Sequence, residues 1–427
     1  MSFLAISMKE KEKLFINIRF LAGLHPSETM ILCGEEMSSF PFLENAWLHI
    51  KGDKIQNYGL IKNLNINEYL NDNELIIVID LNNKSIIPTW CDSHTHLVFA
   101  AYRENEFLMK LGGKSYADIA AAGGGILNSA EKLRAMSEND LYDFSAEKLN
   151  NLIQLGTGAI EIKSGYGLNM ASELKMLRVI QRLKQQFSIP IKSTFLGAHA
   201  YPLEYKENHA AYVNLIVNEM LPAINSEKLA DFVDVFIENG FFSIEEAQLI
   251  IDKALHYGLK PKLHVNQLSN NGGVQFGVKN NALSVDHLEE IGDQEIQCLK
   301  NTGTIVTLLP ACSFYLDIPF APAKWIIESG LPIAIASDYN PGSSPSGNMN
   351  LVVSLACIKM KILPHQVFNA ATINGAYAMD LAQNYGSIAK GKKANFIITK
   401  PISSLHFIPY NFGENVIDKI VINGEFY

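Results

Sequence analysis

Eight short apolar runs alternate with helix-like segments through the middle of the chain, and this rhythm leaves few architectures open. The runs are Ser85–Asp92, Gly158–Lys163, Ile191–Leu196, Asp231–Glu238, Lys260–Asn266, Ala282–His287, Thr304–Leu309 and Pro332–Asp338. Helical periodicity lies between them, as in Ser172–Gln186, Ile244–Tyr257, Asp293–Asn301 and Ala323–Ser329. Apolar strands alternating with helices signal a parallel α/β sheet covered on both faces. Eight such units are the number that closes a (β/α)8 TIM barrel, the fold expected here. A doubly wound open sheet is the alternative, but no Gly-x-Gly-x-x-Gly turn follows the first run. Gly123-Gly124-Gly125 comes well beyond it and reads as a flexible turn or lid hinge.

The two ends of the chain read as β-rich. Near the N-terminus Phe15–Phe20 alternates, Ala46–Ile50 and Ile55–Leu60 flank the turn Lys51–Lys54, and Glu74–Asp80 is a further apolar run. Near the C-terminus come Asn395–Thr399, Val416–Ile422 and the turn Asn423-Gly424. Neither end completes a sheet alone, so the termini are expected to pair. The expected division is a small β-sandwich domain from residues 1–84 and 390–427, beside a barrel domain of 85–389.

Composition narrows the partners. The net charge is −9, from 35 basic and 44 acidic residues, which argues against nucleic acid. The five cysteines are scattered, with no Cys-x-x-Cys pair, as suits a reducing cytoplasm. Phe3–Ile6 is too brief for a secretory core, and no run is apolar enough to span a bilayer. A cytoplasmic protein with no membrane partner is expected.

The chemistry gathers at the ends of the predicted strands, where barrel active sites form. The first run leads into Cys91-Asp92-Ser93-His94-Thr95-His96. In extended chain, residues two apart point the same way, so His94 and His96 aim at one spot. His264 stands on the fifth run, His287 ends the sixth, His199 follows the third and Asp338 ends the eighth. A lone histidine at a strand end is ordinarily structural; this many at one barrel face is a constellation. His94, His96, His264 and Asp338 supply the four ligands that a hydrolytic metal needs, zinc or iron by donor type. A cation lowers the pKa of its water from about 15.7 toward about 7, and the hydroxide attacks a carbonyl. Asp338 is then expected to take the proton and pass it to a leaving nitrogen, with His287 polarising the carbonyl or steadying the oxyanion. The plain alternative for Asp338 is a helix N-cap.

Histidines on strands one, five and six with an aspartate on strand eight resemble the amidohydrolase superfamily. Its two-metal members usually carry a carboxylated lysine at the end of strand four; Val233–Glu238 has none, which implies a single metal. Its cytosine and guanine deaminases place a proton-shuttling glutamate three residues past the strand-five histidine. Gln267 stands there, and a carboxamide cannot shuttle a proton at neutral pH. Seven segments in order resemble the imidazolonepropionase family: Asp92–Phe99 with Arg103–Phe107, Ala122–Ile126, Glu161–Gly167, Phe195–His199, His264–Ser269, Ser284–Leu288 and Ser337–Ser343. The resemblance implies hydrolysis of the ring C–N bond of 4-imidazolone-5-propanoate to N-formimidoyl-L-glutamate, a step of histidine degradation. It implies substrate contacts at Arg103, Tyr166, His199, Gln267, Asn340, Gly342 and Ser343, with Arg103 clamping the propanoate. It also implies a homodimer. Some members carry Glu at the position of Gln267, so proton transfer here falls to Asp338 and His287, with Gln267 beside them. The plain alternatives are that Arg103 pairs with Glu104 or Glu106 and that Tyr166 only packs. Rival readings are another cyclic-amide hydrolase or deaminase on this barrel, or a barrel that binds without turnover.

Overall fold

The computed structural model describes residues 11–70, 76–114, 124–412 and 414–427. Phe3–Ile6, Glu74 and the Ala122-Gly123 start of the glycine motif lie outside them. At the N-terminal end β1 (Glu12–Ala22), β2 (Phe42–Lys51), β3 (Lys54–Leu60), β4 (Ile76–Asp80) and β5 (Ile86–Pro88) form in order. Then come β6 (Trp90–Asp92), β7 (Thr157–Lys163), β8 (Ile191–Ala198), β9 (Phe232–Ile237), β10 (Lys260–Val265), β11 (Ser284–His287), β12 (Ile305–Leu308) and β13 (Ile333–Ile335). The chain closes with β14 (Phe396–Thr399), β15 (Ile417–Ile422) and β16 (Glu425–Phe426).

Strands β6 to β13 make one parallel sheet in sequence order. Its two edges meet just beyond the ladders. Thr95 bridges to Tyr339, His96 N donates to Tyr339 O at 2.9 Å, and Asp338 N donates to His94 O at 3.0 Å. Those bonds close the expected barrel. They also place both metal-site segments, His94–His96 and Asp338, on the same seam. Helices pack outside: Met170–Gln186 starts at Asn169, whose side chain accepts from Ser172 N, and buries Leu174, Leu177, Ile180 and Leu183 on one stripe. Ile244–His256 starts at a Ser243/Glu246 capping box.

The termini share one sheet, ordered β16-β15-β14-β5-β1-β2-β3 with β4 on β1. The pairing that joins them is β5 with β14, antiparallel. In place of the expected two-layer sandwich, the termini form one continuous hydrogen-bonded sheet, separate from the barrel sheet. Parts distant in that order meet: Lys13 Nζ on β1 donates to Gly424 O, between β15 and β16, at 2.6 Å, and Lys54 at the start of β3 bridges to Lys393, just before β14. The run Ser85–Asp92, read above as one strand, serves both sheets. Ile86–Pro88 pairs with β1 and β14, Trp90–Asp92 pairs with β7, and Thr89 is the crossing point. Proline lacks an N–H to donate, and Pro88 ends the first half.

Among the described residues no helix is long and apolar enough to cross a membrane. All five cysteines are unpaired.

Candidate metal centre and active site

The ladder of β6 ends at Asp92, and the next residues stay extended through the seam bonds to Asp338 and Tyr339. Asp92 is itself a clasp. Its carboxylate accepts Ser337 N at 2.9 Å and Ser337 Oγ at 2.6 Å, and burial pushes its pKa up to about 7 against those bonds. His94 and His96 therefore project from a fixed segment, two residues apart, as the sequence spacing requires.

His94, His96 and His264 converge, with ligand atoms within 4.8 Å of one another and all three side chains buried. Ring centroids lie 4.4 Å apart for His94 and His264, and 5.4 Å for His96 with either. Asp338 joins them: its Oδ1 is 3.6 Å from His94 Nε2 and 3.5 Å from His96 Nε2. Asp338 sits three residues past β13 at φ +53°, and no helix starts after it, so it is not an N-cap. The left-handed backbone turns its carboxylate back over the barrel mouth.

This donor set fits a metal ion. His94 Nδ1 is 2.6 Å from Asp286 Oδ2, which fixes the proton there and leaves Nε2 as a lone-pair donor. His264 Nδ1 lies 2.8 Å from Asp234 Oδ2, a close ion-pair contact without hydrogen-bond geometry. Both Nε2 atoms are buried without a hydrogen-bond partner, as are His96 Nδ1 and His264 Nδ1. Orphaned buried nitrogens are costly unless something fills the space between them. Burial, then Lys163 and neighbouring imidazoles, hold His94 and His264 well below the usual histidine pKa. Burial, then His199 and His264, do the same for His96. Neutral imidazoles are the form that binds metal.

His287 ends β11 at φ +88°, its ring 5.2 Å from His264 and 5.7 Å from His94. Its Nδ1 faces Glu289 Oε2 at 3.7 Å. Burial alone would lower its pKa; Glu289, Asp338 and Asp286 outweigh that and hold it raised. Burial raises the pKa of Asp338, opposed by His287, Cys312, Asn340 and Ser343. An acid and a base thus sit side by side, each displaced toward the protonated form.

The remaining candidates line the mouth. His199 stacks on His96 at 5.2 Å, and its Nδ1 is 3.0 Å from Gly165 O; burial lowers its pKa to about 4. Tyr166 is buried, edge-on to His96 at 5.9 Å and His199 at 5.5 Å. Arg103 lies over the Tyr166 ring at 5.8 Å and donates through Nε to Ser129 Oγ at 2.8 Å. Among the described residues it has no acidic partner; Glu106 instead accepts Gly125 N. Gly342 passes close to it: a Cβ there would stand 2.5 Å from Arg103 Nη1. Asn340 organises the loop, accepting Gly342 N and Ser343 N at 2.8 Å and donating to Asp338 O at 2.6 Å. Ser343 Oγ reaches Asp338 Oδ2 at 3.3 Å. Gln267 is half-buried, with Nε2 3.6 Å from Cys312 Sγ.

Sequence reading missed the acids that hold these loops. Glu173 accepts Gly165 N, Gly167 N and Leu168 N and so shapes the turn of Tyr166. Glu238 accepts Leu268 N and Ser269 N next to Gln267. Strand β12 ends on apolar residues, yet Cys312 just beyond it touches Gln267. Glu161, Asp234 and Lys262 below the histidines were also missed, and Lys163 and Asp286 were seen only as polar strand ends without a role; all five are buried. Their signal was there: Glu161/Lys163 and Lys262/His264 are two apart in otherwise apolar strands, hence inward-facing pairs.

Comparisons with known proteins place the chain in a family. Residues 85–426 match the amidohydrolase family. The chain is similar to the imidazolonepropionase of Christiangramia forsetii, 52% identical over 412 residues, covering 96% of this chain and 99% of that protein. It is similar to the imidazolonepropionase of Clostridium tetani, 40% identical over 391 residues, covering 92% of each chain. Among solved structures, guanine deaminase from E. coli superposes with TM-score 0.73 at 15% identity, covering 98% of this chain and 99% of that one. Guanine deaminase from C. acetobutylicum gives 0.70 at 16% identity, covering 97% and 100%. At that identity the structural likeness speaks for the fold alone. The chain belongs to the amidohydrolase family and, within it, to the imidazolonepropionases.

Proposed function

We propose that this chain hydrolyses the ring C–N bond of 4-imidazolone-5-propanoate, giving N-formimidoyl-L-glutamate. The observation that carries the substrate reading is Arg103, a cation at the mouth without an acidic partner among the described residues. A small ring with an anionic tail satisfies it, the guanidinium gripping the carboxylate with two N–H groups.

His94, His96, His264 and Asp338 would hold one metal ion, zinc or iron by donor type. Bound there, the ion supplies a Lewis acid that polarises the ring carbonyl and acidifies water. Arg103 anchors the tail, while Tyr166, buried beside His96 and His199, bounds the ring. His199 spends its Nδ1 proton on Gly165 O and keeps Nε2 to accept from a ring N–H. Water adds to the carbonyl carbon as Asp338 takes its proton. His287, its pKa held raised by its acidic neighbours, donates to the oxygen as charge builds there. The C–N bond then breaks, and Asp338 returns the proton to the departing nitrogen. Gln267 can orient the carbonyl or water through hydrogen bonds without moving a proton. Gly342 leaves room for Arg103, and Asn340 and Ser343 set the Asp338 loop.

A small-molecule substrate follows from the family. The homodimer and the cytoplasmic setting remain part of this reading, resting on the resemblance and on the unpaired cysteines; sedimentation at micromolar concentration checks the first. A substrate panel tests the activity. Imidazolone propanoate should be opened, with loss of the ring's ultraviolet absorbance. Ammonia release from guanine or 5-methylcytosine, with the imidazolone untouched, would overturn the reading in favour of a deaminase.

A further inference from the structure

The imidazoles of the metal centre stand on buried charges that the reaction itself does not use. Lys163 Nζ lies 2.8 Å from Asp234 Oδ2 and 3.7 Å from Asp286 Oδ2. Those same two oxygens face the histidines: Asp234 Oδ2 is 2.8 Å from His264 Nδ1, and Asp286 Oδ2 is 2.6 Å from His94 Nδ1. One ammonium thus stands behind two carboxylate–imidazole arms, hydrogen-bonded at His94 and in close contact at His264, and the far end of each arm is an unpartnered Nε2. Each carboxylate is also gripped from behind. Asp234 Oδ1 accepts His264 N at 3.1 Å, and Asp286 Oδ1 accepts Ser284 Oγ at 2.6 Å.

Lys163 is held in turn by Glu161 Oε1 at 2.7 Å. Glu161 accepts Thr194 Oγ1 at 2.5 Å and is paired with Lys262, whose Nζ also donates to Ser93 O at 3.0 Å, next to His94. Strand register makes this possible. Lys262 lies opposite Asp234 on β9 and Ser284 on β11, and His264 lies opposite Asp286. Glu161, Lys163, Asp234, Lys262 and Asp286 are at most 1% exposed. Burying an ion costs several kcal/mol before pairing, and apolar side chains would fill the same space at less cost. Position is what the charges supply.

We propose that Lys163 is a positioning residue for the metal centre. Its ammonium fixes Asp234 and Asp286, and these fix the rings of His264 and His94, so that two lone pairs converge before any ion arrives. The inference rests on the ligand set proposed above. Carboxylates behind ligating histidines are general; here a single cation faces two of them. His96 is outside the device: its Nδ1 has no partner and its ring leans on His199.

The test uses the full chain, stripped of metal, as wild type, Lys163→Met and Asp286→Asn. Each is titrated with zinc against a chromophoric chelator and with cobalt for its visible ligand-field bands, and metal-free unfolding midpoints are measured alongside. Both variants should bind zinc about 10–100-fold more weakly than wild type and shift the cobalt bands. Lys163→Met leaves two buried carboxylates without their cation; if it does not fold, Asp286→Asn, which keeps the side-chain shape, carries the test alone. Wild-type zinc affinity with wild-type cobalt bands in Asp286→Asn, or in folded Lys163→Met, would overturn the proposal, leaving the network a filler of the barrel. A wild-type chain that takes up neither metal would instead sink the ligand set beneath it.

Discussion

Where the terminal sheet curls over itself it encloses Phe15, Ile18, Leu48, Ile55, Phe396 and Val421. The barrel interior beneath the histidines is as dry, yet it holds Glu161, Lys163, Asp234, Lys262 and Asp286. The first core stabilises by area removed from water, at about 25 cal/mol per Å² of apolar surface, and any side chain of similar volume serves nearly as well. The second draws its net stability from pairing that barely offsets desolvation, and in return each side chain has one place to be. Stability and geometry are therefore invested in different parts of one chain.

Breaking the barrel side of this comparison should have the largest effect. Asp338→Asn is expected to lower turnover by about 10²–10⁴-fold, because the proton carrier is gone. The metal-free unfolding midpoint should hold; near-wild-type turnover would remove Asp338 from the proton path. On the terminal side, Phe396→Ala removes a ring packed edge-on to Phe15 at 5.3 Å in a fully buried site. Denaturant unfolding should show a loss of about 3–5 kcal/mol with KM unchanged. A raised KM at intact stability would mean that the two cores are not separable.

Arg103→Ala is expected to raise KM by about 10-fold or more, corresponding to about 1.5–3 kcal/mol for a charged hydrogen-bonded contact, with kcat little changed. An unchanged KM would place the propanoate elsewhere. The smallest effect concerns acid. Burial holds His94, His96 and His264 well below the ordinary histidine value and His199 at about 4, so the folded barrel refuses protons that the unfolded chain takes near 6.5. Folded pKa values below the unfolded ones mean stability that is present above about pH 6.5 and lost as pH falls toward the folded values. His287, held raised, does not share in that loss. The metal-free urea midpoint should therefore fall between about pH 7 and about pH 5; a flat response would mean that the imidazoles are charged inside the barrel.

The same contrast explains what could be read from the sequence. Each barrel strand announced itself because a strand buried on both faces is apolar throughout. The ligand histidines stood out because they interrupt such runs at their ends. The division of Ser85–Asp92 between two sheets was hidden, since both halves are equally buried. The seam that closes the barrel was hidden too. It is made by backbone bonds between residues 94–96 and 338–339, which local pattern does not reveal. Glu173 and Glu238 hold loop N–H groups that only the finished fold brings near them. Lys163 and Asp286 were legible in part, as charges at inward positions of apolar strands, but their pairing depends on the register of neighbouring strands.

The most direct measurement is imidazolone ring opening followed against metal content in the wild-type chain. The account expects activity that vanishes on chelation, returns with about one equivalent of zinc or iron per chain, and follows the metal taken up. Undiminished ring opening by metal-free protein, or a metal-loaded protein that leaves the imidazolone intact, would contradict it.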